Sequence, residues 1–165
     1  MQKKYLSKAD ALKRMQRYCA YQDRCHSEVR SKLIELGVYG DTLEEIMAEL
    51  IIERFLDEER FARSYVRGKF RLKKWGRLRI KRELKLRKIS AYCQRKGLEE
   101  IEEAEYQKTL REILQKKLAD YGRKYNAFES GSKAATYAQG RGYETALIWP
   151  IIKELQQAQA EANGE

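Results

Sequence analysis

The stretch HSEVRSKLIELGV, His26–Val38, decides the fold. Val29, Leu33 and Leu36 recur at spacings of four and three, which puts them on one face of a helix. Gly37 follows as a helix-terminating glycine, and Val38 comes immediately after it. Toward the C-terminus, Asp41 begins a further helix with Glu44 three positions on, as in a capping box. Leu43, Ile46, Met47 and Leu50 give that helix its apolar stripe. Toward the N-terminus, Leu12, Met15 and Cys19 predict a first helix from about Ser7 to Tyr21. The unit is three short helices with tight connections.

The same unit recurs along the chain. Moved 105 residues on, Leu43, Ile46, Met47 and Leu50 become Ile148, Ile151, Ile152 and Leu155, Gly37-Val38 becomes Gly142-Tyr143, and Leu33 becomes Ala138. Moved 51 residues on, Val29, Leu33 and Val38 become Ile80, Leu84 and Ile89. With four further residues inserted, Leu43 and Ile46 become Leu98 and Ile101. A period of about 50 residues is the signature of stacked supersecondary units. The expected fold is all-α, an elongated array of three tandem three-helix, helix-turn-helix-like repeats. The expected modules are 1–55, 56–105 and 106–165, the last with a polar C-terminal tail. The one proline, Pro150, falls inside a predicted helix and implies a kink or a late helix start.

The charge is concentrated. The 165-residue chain carries a net +10, yet Arg67 to Lys96 alone holds fourteen Lys or Arg and one acid, Glu83, a net of +13. The remaining residues therefore sum to −3. This is a slightly acidic scaffold with one basic segment, and such a segment suits nucleic acid, an acidic protein surface or an anionic membrane. No apolar run approaches the roughly 18 residues of a membrane span. The N-terminal MQKKYLSKADAL lacks the apolar centre of a secretory signal, so a cytoplasmic location is expected. Cys19, Cys25 and Cys93 then read as free thiols.

Within the basic segment, Ile80 and Leu84 form the inward stripe of a helix, while Lys81, Arg82, Lys85 and Lys88 occupy its broad outward face. Position 87, equivalent to apolar Leu36, is arginine. The preceding helix adds Arg67, Arg71 and Lys74 at spacings of four and three. Carboxylates that would give i,i+4 support are almost absent. Arg67, Arg71, Lys73, Lys74, Arg77, Arg79, Lys81, Arg82, Lys85 and Lys88 are therefore the candidate residues for binding a partner or nucleic acid. Gly76 ends one helix or opens the next turn. Trp75 reads as corner packing rather than a stacking platform. Tyr92, Cys93, His26 and Trp149 read as core or module-interface residues. Asp57-Glu58-Glu59 reads as an acidic first helical turn. No catalytic residue, metal site or cofactor is expected. The single histidine, His26, beside Cys25 lacks further ligands at metal spacing, no phosphate-binding glycine loop is present, and nothing pairs a nucleophile with a base.

FLDEERFARSYVRGKFRLKKWGRLRIKREL, Phe55–Leu84, resembles the central signature of the RecX family, an acidic-aromatic start followed by a basic WG…RI…EL run. HSEVRSKLIELGV resembles that family's first-repeat segment. SKAATYAQGRGYETALIW, Ser132–Trp149, keeps the glycine-aromatic turn but has Ala134, Ala135 and Ala138 where larger apolar residues are expected. Where the family often has proline after the turn glycine, this chain has Arg77. The resemblance implies an inhibitor of the RecA recombinase in DNA repair and the SOS response, and the chain is expected to be a monomer. It implies binding in the groove of the RecA–single-stranded DNA filament, where ATP hydrolysis, strand exchange and filament growth are restrained. It implies no enzyme activity. The alternative reading from the residues is a helix-turn-helix-like regulator that binds nucleic acid directly. Dispersion of the cations over the helix, rather than a base-reading set at one helix N-terminus, favours the first.

Overall fold

A computed structural model describes residues 6–164. Among them there are nine α-helices and no strand. They follow in three successive sets of three. The first set is α1 (Lys8–Tyr21), α2 (His26–Glu35) and α3 (Gly40–Ile52). The second is α4 (Glu58–Arg71), α5 (Arg77–Leu86) and α6 (Ala91–Leu98). The third is α7 (Glu103–Gly122), α8 (Ala127–Gly140) and α9 (Thr145–Asn163). The all-helical repeat architecture read from the periodicity is therefore present.

The repeat extends to single backbone bonds. After the second helix of each set one residue takes the left-handed conformation: Gly37 (φ 84), Lys88 (φ 59) and Gly142 (φ 99). The apolar residue that follows donates its N–H five positions back, Val38 to Leu33 (2.8 Å), Ile89 to Leu84 (3.1 Å) and Tyr143 to Ala138 (3.1 Å). This is the bond that satisfies a free carbonyl of the last helical turn and drives the following apolar side chain back onto the helix. Val38, Ile89 and Tyr143 are all buried as a result.

Contacts divide the chain into two compact units. One gathers the chain up to Tyr65 with Leu84–Gly97; the other joins Val66–Glu83 to the chain from Leu98 on. In the first, Ala11, Met15 and Cys19 of α1 pack with Val29 and Leu33 of α2 and with Leu43, Ile46, Met47 and Leu50 of α3. Ser7 caps α1 by accepting the Asp10 N–H at 3.1 Å, close to where the sequence places the helix start. The α5–α6 turn belongs to this unit as well. The Ser27 hydroxyl donates to the Arg87 carbonyl at 2.9 Å, and the Ser90 N–H donates to the Glu58 carboxylate at 2.5 Å. Gly97 lies against α4 so closely that a Cβ there would meet the Ala62 carbonyl oxygen at 2.9 Å.

In the second unit Val66, Phe70 and Ile80 share a core with Tyr106, Leu110, Leu114, Leu118, Tyr143, Ile148 and Ile152. The rings of Phe70, Tyr106 and Tyr143 stand in series at 5.9 and 5.1 Å between centroids. Ala134, Ala135 and Ala138 are fully or almost fully buried, so these small side chains are core residues of α8 and leave the packing intact.

Four expectations are corrected. Helix α3 starts at Gly40, with no side-chain cap at its N-terminus. Asp41 thus lies inside the first turn, and Glu44 turns to Arg30, whose guanidinium donates to both its oxygens. The four-residue insertion in the middle set does not exist. Helix α6 ends at Leu98 and its inward residues are Cys93 and Gly97, while buried Ile101 precedes α7 as buried Leu56 precedes α4. Pro150 lies inside α9 as the sequence places it, but the late helix start is excluded, since α9 begins at Thr145. Tyr92 and Trp149, expected as core or module-interface residues, are not core: they are 56% and 44% exposed. By contrast Asp57 caps α4 through the Arg60 N–H at 2.9 Å, and all three cysteines are buried free thiols. Burial pushes the Cys19 thiol up to about 11.

The closest approach in the second unit sets a stability test. A Cβ on Gly76 would lie 2.3 Å from the Gly142 carbonyl, whereas one on Gly140 meets nothing within 4 Å. Gly76→Ala is expected to lose about 2–4 kcal/mol, since backbone on both sides has to move. Gly140→Ala, at a helical position, is expected to gain up to about 1 kcal/mol. Urea unfolding of the two variants checks this. Equal stabilities would mean that the close backbone contact is not formed.

Candidate nucleic-acid and partner interface

The candidate cations sit on and around the corner between α4 and α5. Helix α4 ends at Arg71, and Lys74 just beyond it takes the left-handed conformation (φ 58). The Trp75 N–H then reaches back to the Lys69 carbonyl at 3.1 Å. The chain is redirected there, and α5 starts against the α8–α9 turn. The Gly76 N–H donates to the Arg141 carbonyl (2.8 Å) and the Leu78 N–H to the Gly142 carbonyl (3.0 Å). A helix start leaves its first N–H groups without intrahelical partners; here two turn carbonyls supply them. The Arg141 guanidinium donates to the Lys73 carbonyl, and the Tyr143 hydroxyl donates to that of Lys74 at 2.9 Å.

Arg77 is committed inside this corner. Its N–H donates to the Tyr106 hydroxyl at 3.1 Å. Its guanidinium donates to Glu103 at 2.7 Å and Glu144 at 2.8 Å, and it lies 4.0 Å from the centre of the Tyr106 ring. The Tyr106 hydroxyl in turn donates to Glu144 at 2.6 Å. Burial works against the Arg77 charge, but the hydrogen bonds to the Glu144 and Glu103 carboxylates outweigh it and hold the guanidinium more firmly protonated than usual. Burial, then the hydrogen bond to Glu144, raises the Tyr106 hydroxyl above the ordinary tyrosine range.

The other cations differ in what they meet. Arg67 pairs with Glu100 at 3.2 Å. Arg79 stacks on the Trp75 ring at 4.1 Å, and Lys69 also lies over that ring at 4.8 Å. Trp75 is half-buried at the corner and already carries two cations. Arg71, Lys73, Lys74, Lys81 and Arg82 are exposed, and no carboxylate comes within ion-pair reach of them among the described residues. Two apolar side chains stand among them, Leu72 at 81% and Leu78 at 51% exposure. Lys85 and Lys88 fall in the other compact unit and are exposed there. Also in that unit, Arg87 lies on the Tyr65 ring at 4.9 Å and faces Glu28 at 3.7 Å, so the arginine replacing an apolar residue is held in place.

The corner thus brings Arg71, Lys73, Lys74, Arg79, Lys81 and Arg82 into one unit and sets Arg77 apart as its anchor. The sequence reading did not single out Tyr106, Glu103, Glu144 or Arg141 as the anchor's partners. The one available sign was Arg77 standing where a proline is common, since a charged residue at a helix start beside a buried glycine needs a partner. Among the described residues no group of acids, histidine and cysteines is arranged to hold a metal ion, and no helix is long and apolar enough to cross a membrane.

A family model described as RecX, second three-helix domain, matches residues 57–98. A regulatory protein RecX from Prosthecochloris aestuarii is 26% identical over 145 residues, covering 88% of this chain and 93% of the relative. A regulatory protein RecX from Lactobacillus gasseri is 25% identical over 153 residues, covering 93% of this chain but only 56% of the longer relative. The crystal structure of RecX from Lactobacillus salivarius superposes with a TM-score of 0.82 at 23% identity, over 91% of this chain and 97% of that one. A second crystal structure of regulatory protein RecX gives 0.79 at 22% identity, over 89% and 71%. At these identities the solved structures speak for the fold.

The anchor makes a pH prediction. A group whose value is raised on folding contributes stability that is complete below its unfolded value, about 10 for tyrosine, and that is lost as pH rises through the folded one. The chain is therefore expected to lose stability above about pH 10. Tyr106→Phe should reduce that alkaline loss, of which buried Tyr143 carries a further share, and, by leaving the Arg77 N–H and a Glu144 oxygen unpaired, cost about 1–3 kcal/mol at neutral pH. Denaturant unfolding at neutral and alkaline pH measures both. An alkaline loss unchanged in the variant would contradict the assignment.

Proposed function

The chain belongs to the RecX family, and on that premise we propose that it regulates the RecA recombinase as an inhibitor. It would bind in the groove of the filament that RecA forms on single-stranded DNA and restrain ATP hydrolysis, strand exchange and filament growth. The observation that carries the reading is the set of exposed cations on a pinned corner, Arg71, Lys73, Lys74, Lys81 and Arg82. Self-repulsion within such a set is relieved by an anionic partner, and a groove lined by acidic protein surface and nucleic-acid backbone is such a partner. The modules 1–55, 56–105 and 106–165 supply successive contacts, so that each added contact raises the effective concentration of the next. The reading calls for no catalytic group or cofactor, and it has a cytoplasmic monomer acting in DNA repair and the SOS response. Direct binding to nucleic acid, without the recombinase, is the second reading, and the same unpaired cations support it.

Two measurements test the proposal. In a single-stranded-DNA-dependent ATPase assay of RecA, added chain is expected to lower the rate to a plateau. The triple variant Arg71→Glu, Lys81→Glu, Arg82→Glu should need about tenfold more protein for the same effect, a change of about 1.4 kcal/mol. A rate untouched at saturation sinks the inhibitor reading. For nucleic acid itself, the slope of log affinity against log salt on single strands should shrink by about 2 in the triple variant, at about 0.7 per lost phosphate contact. An unchanged slope takes these three residues out of the interface.

A further inference from the structure

A second cationic surface lies in the third set of helices, to which the preceding reading assigns a contact but no residues. Residues 115–137 hold five cations, two carboxylates (Asp120 and Glu129) and four aromatic rings. Three of the cations lie over rings. Lys117 Nζ lies 4.1 Å from the centre of the Tyr137 ring, and Lys133 Nζ lies 4.5 Å from that of Tyr125. Lys124 Nζ is 5.8 Å from the same Tyr125 ring, which stands 6.4 Å from Tyr121. Lys117 and Tyr121 are one turn apart on α7, as are Lys133 and Tyr137 on α8. The seam between the two helices therefore carries lysine and tyrosine in alternation from both sides. In the first turn of α8, Phe128 is 83% exposed.

The mode of holding matters. Some cations of this unit meet carboxylates instead, as Arg111 meets Glu154 at 2.9 Å and Arg67 meets Glu100 at 3.2 Å. A carboxylate cancels the charge it orients. An aromatic face orients an ammonium through its quadrupole and leaves the charge whole. Among the described residues neither Asp120 nor Glu129 forms an ion pair with these lysines. Cations that keep their charge, and an exposed ring in the same stretch of chain, are the two components of a surface for single-stranded nucleic acid: charge tracks the backbone and the ring takes a base. An acidic protein surface would use the lysines but gives an exposed phenylalanine no base to stack on.

We infer that the α7–α8 seam is a second binding surface for single-stranded nucleic acid, in which Lys117, Lys124 and Lys133 meet phosphates and Phe128 stacks on a base. It is independent of the corner at Trp75-Gly76 and of any recombinase. The test uses the full chain, a fluorescent oligothymidylate and a salt series, read by anisotropy. Lys117→Gln, Lys124→Gln, Lys133→Gln together should reduce the log–log salt slope by about 2. Phe128→Ala should weaken binding about tenfold with the slope unchanged. Thermal melting confirms that each variant is folded. Unchanged affinity and slope in the triple variant overturn the inference, as does a parent chain that fails to bind at low salt. A silent Phe128→Ala overturns it too, and if polyglutamate binding is then lost in the triple variant the surface serves an acidic protein. Lys81→Glu with Arg82→Glu, run alongside, reports on the corner alone, so the two surfaces can fail separately.

Discussion

Everything in the second unit depends on one approach of backbone to backbone. A Cβ on Gly76 would run into the Gly142 carbonyl and one on Gly142 into Arg79, and the space saved lets the α5 start donate into the α8–α9 turn. Two hydrogen bonds of ordinary strength gain specificity because a helix start has donors that only a suitably placed acceptor can satisfy. Arg77 then locks the arrangement. Its backbone, its guanidinium and its stacking all go to Tyr106, Glu103 and Glu144. A proline at the same position would offer a ready-made helix start but no charge and no donor. The arginine exchanges backbone stiffness for a network that ties α5 to the starts of α7 and α9.

That anchor gives the cations around it their meaning. A basic helix with frayed ends would spread its charge over many conformations. One held at its first turn presents Lys81 and Arg82 in fixed positions, and the α4–α5 turn does the same for Lys73 and Lys74 through their carbonyls. The structure sorts the basic residues by what they face. Those opposite carboxylates, such as Lys8 with Glu45, Arg30 with Glu44 and Arg60 with Asp23, tie helices together within the first unit. Such exposed pairs contribute little energy each, but they leave no net charge for a partner. Those without carboxylates keep their charge, and the α4–α5 corner has several close together.

Much of this was legible in the sequence because the repeat is written in residues of fixed chemistry. The alternation of apolar positions and the glycine-apolar turn at Gly37-Val38 and Gly142-Tyr143 carried the three sets of helices, and Lys88 takes the same left-handed conformation at the equivalent place without being glycine. Local pattern failed where tertiary contacts decide. Glu44 satisfies the spacing of a capping box, yet a guanidinium from α2 offers it a stronger, two-pronged bond than a backbone N–H. Ile101 continues an apolar pattern across the end of α6 but belongs to the approach to α7. Trp149 reads as core from its size and is nearly half exposed, because Ile148, Ile151 and Ile152 already fill the inner face of α9. The candidate cations were visible as a run of charge. Which of them is an anchor was not, since Tyr106 and Glu144 lie 29 and 67 residues from Arg77.

In the proposed function the corner recognises a recombinase filament rather than bare nucleic acid. Binding of the chain to a single strand coated with RecA, compared with the same strand naked at matched salt, tests it directly. Markedly tighter binding to the coated strand is expected, with the difference largely lost when Arg71, Lys81 and Arg82 are reversed. Equal or tighter binding to the naked strand would contradict it and leave direct nucleic-acid binding as the function.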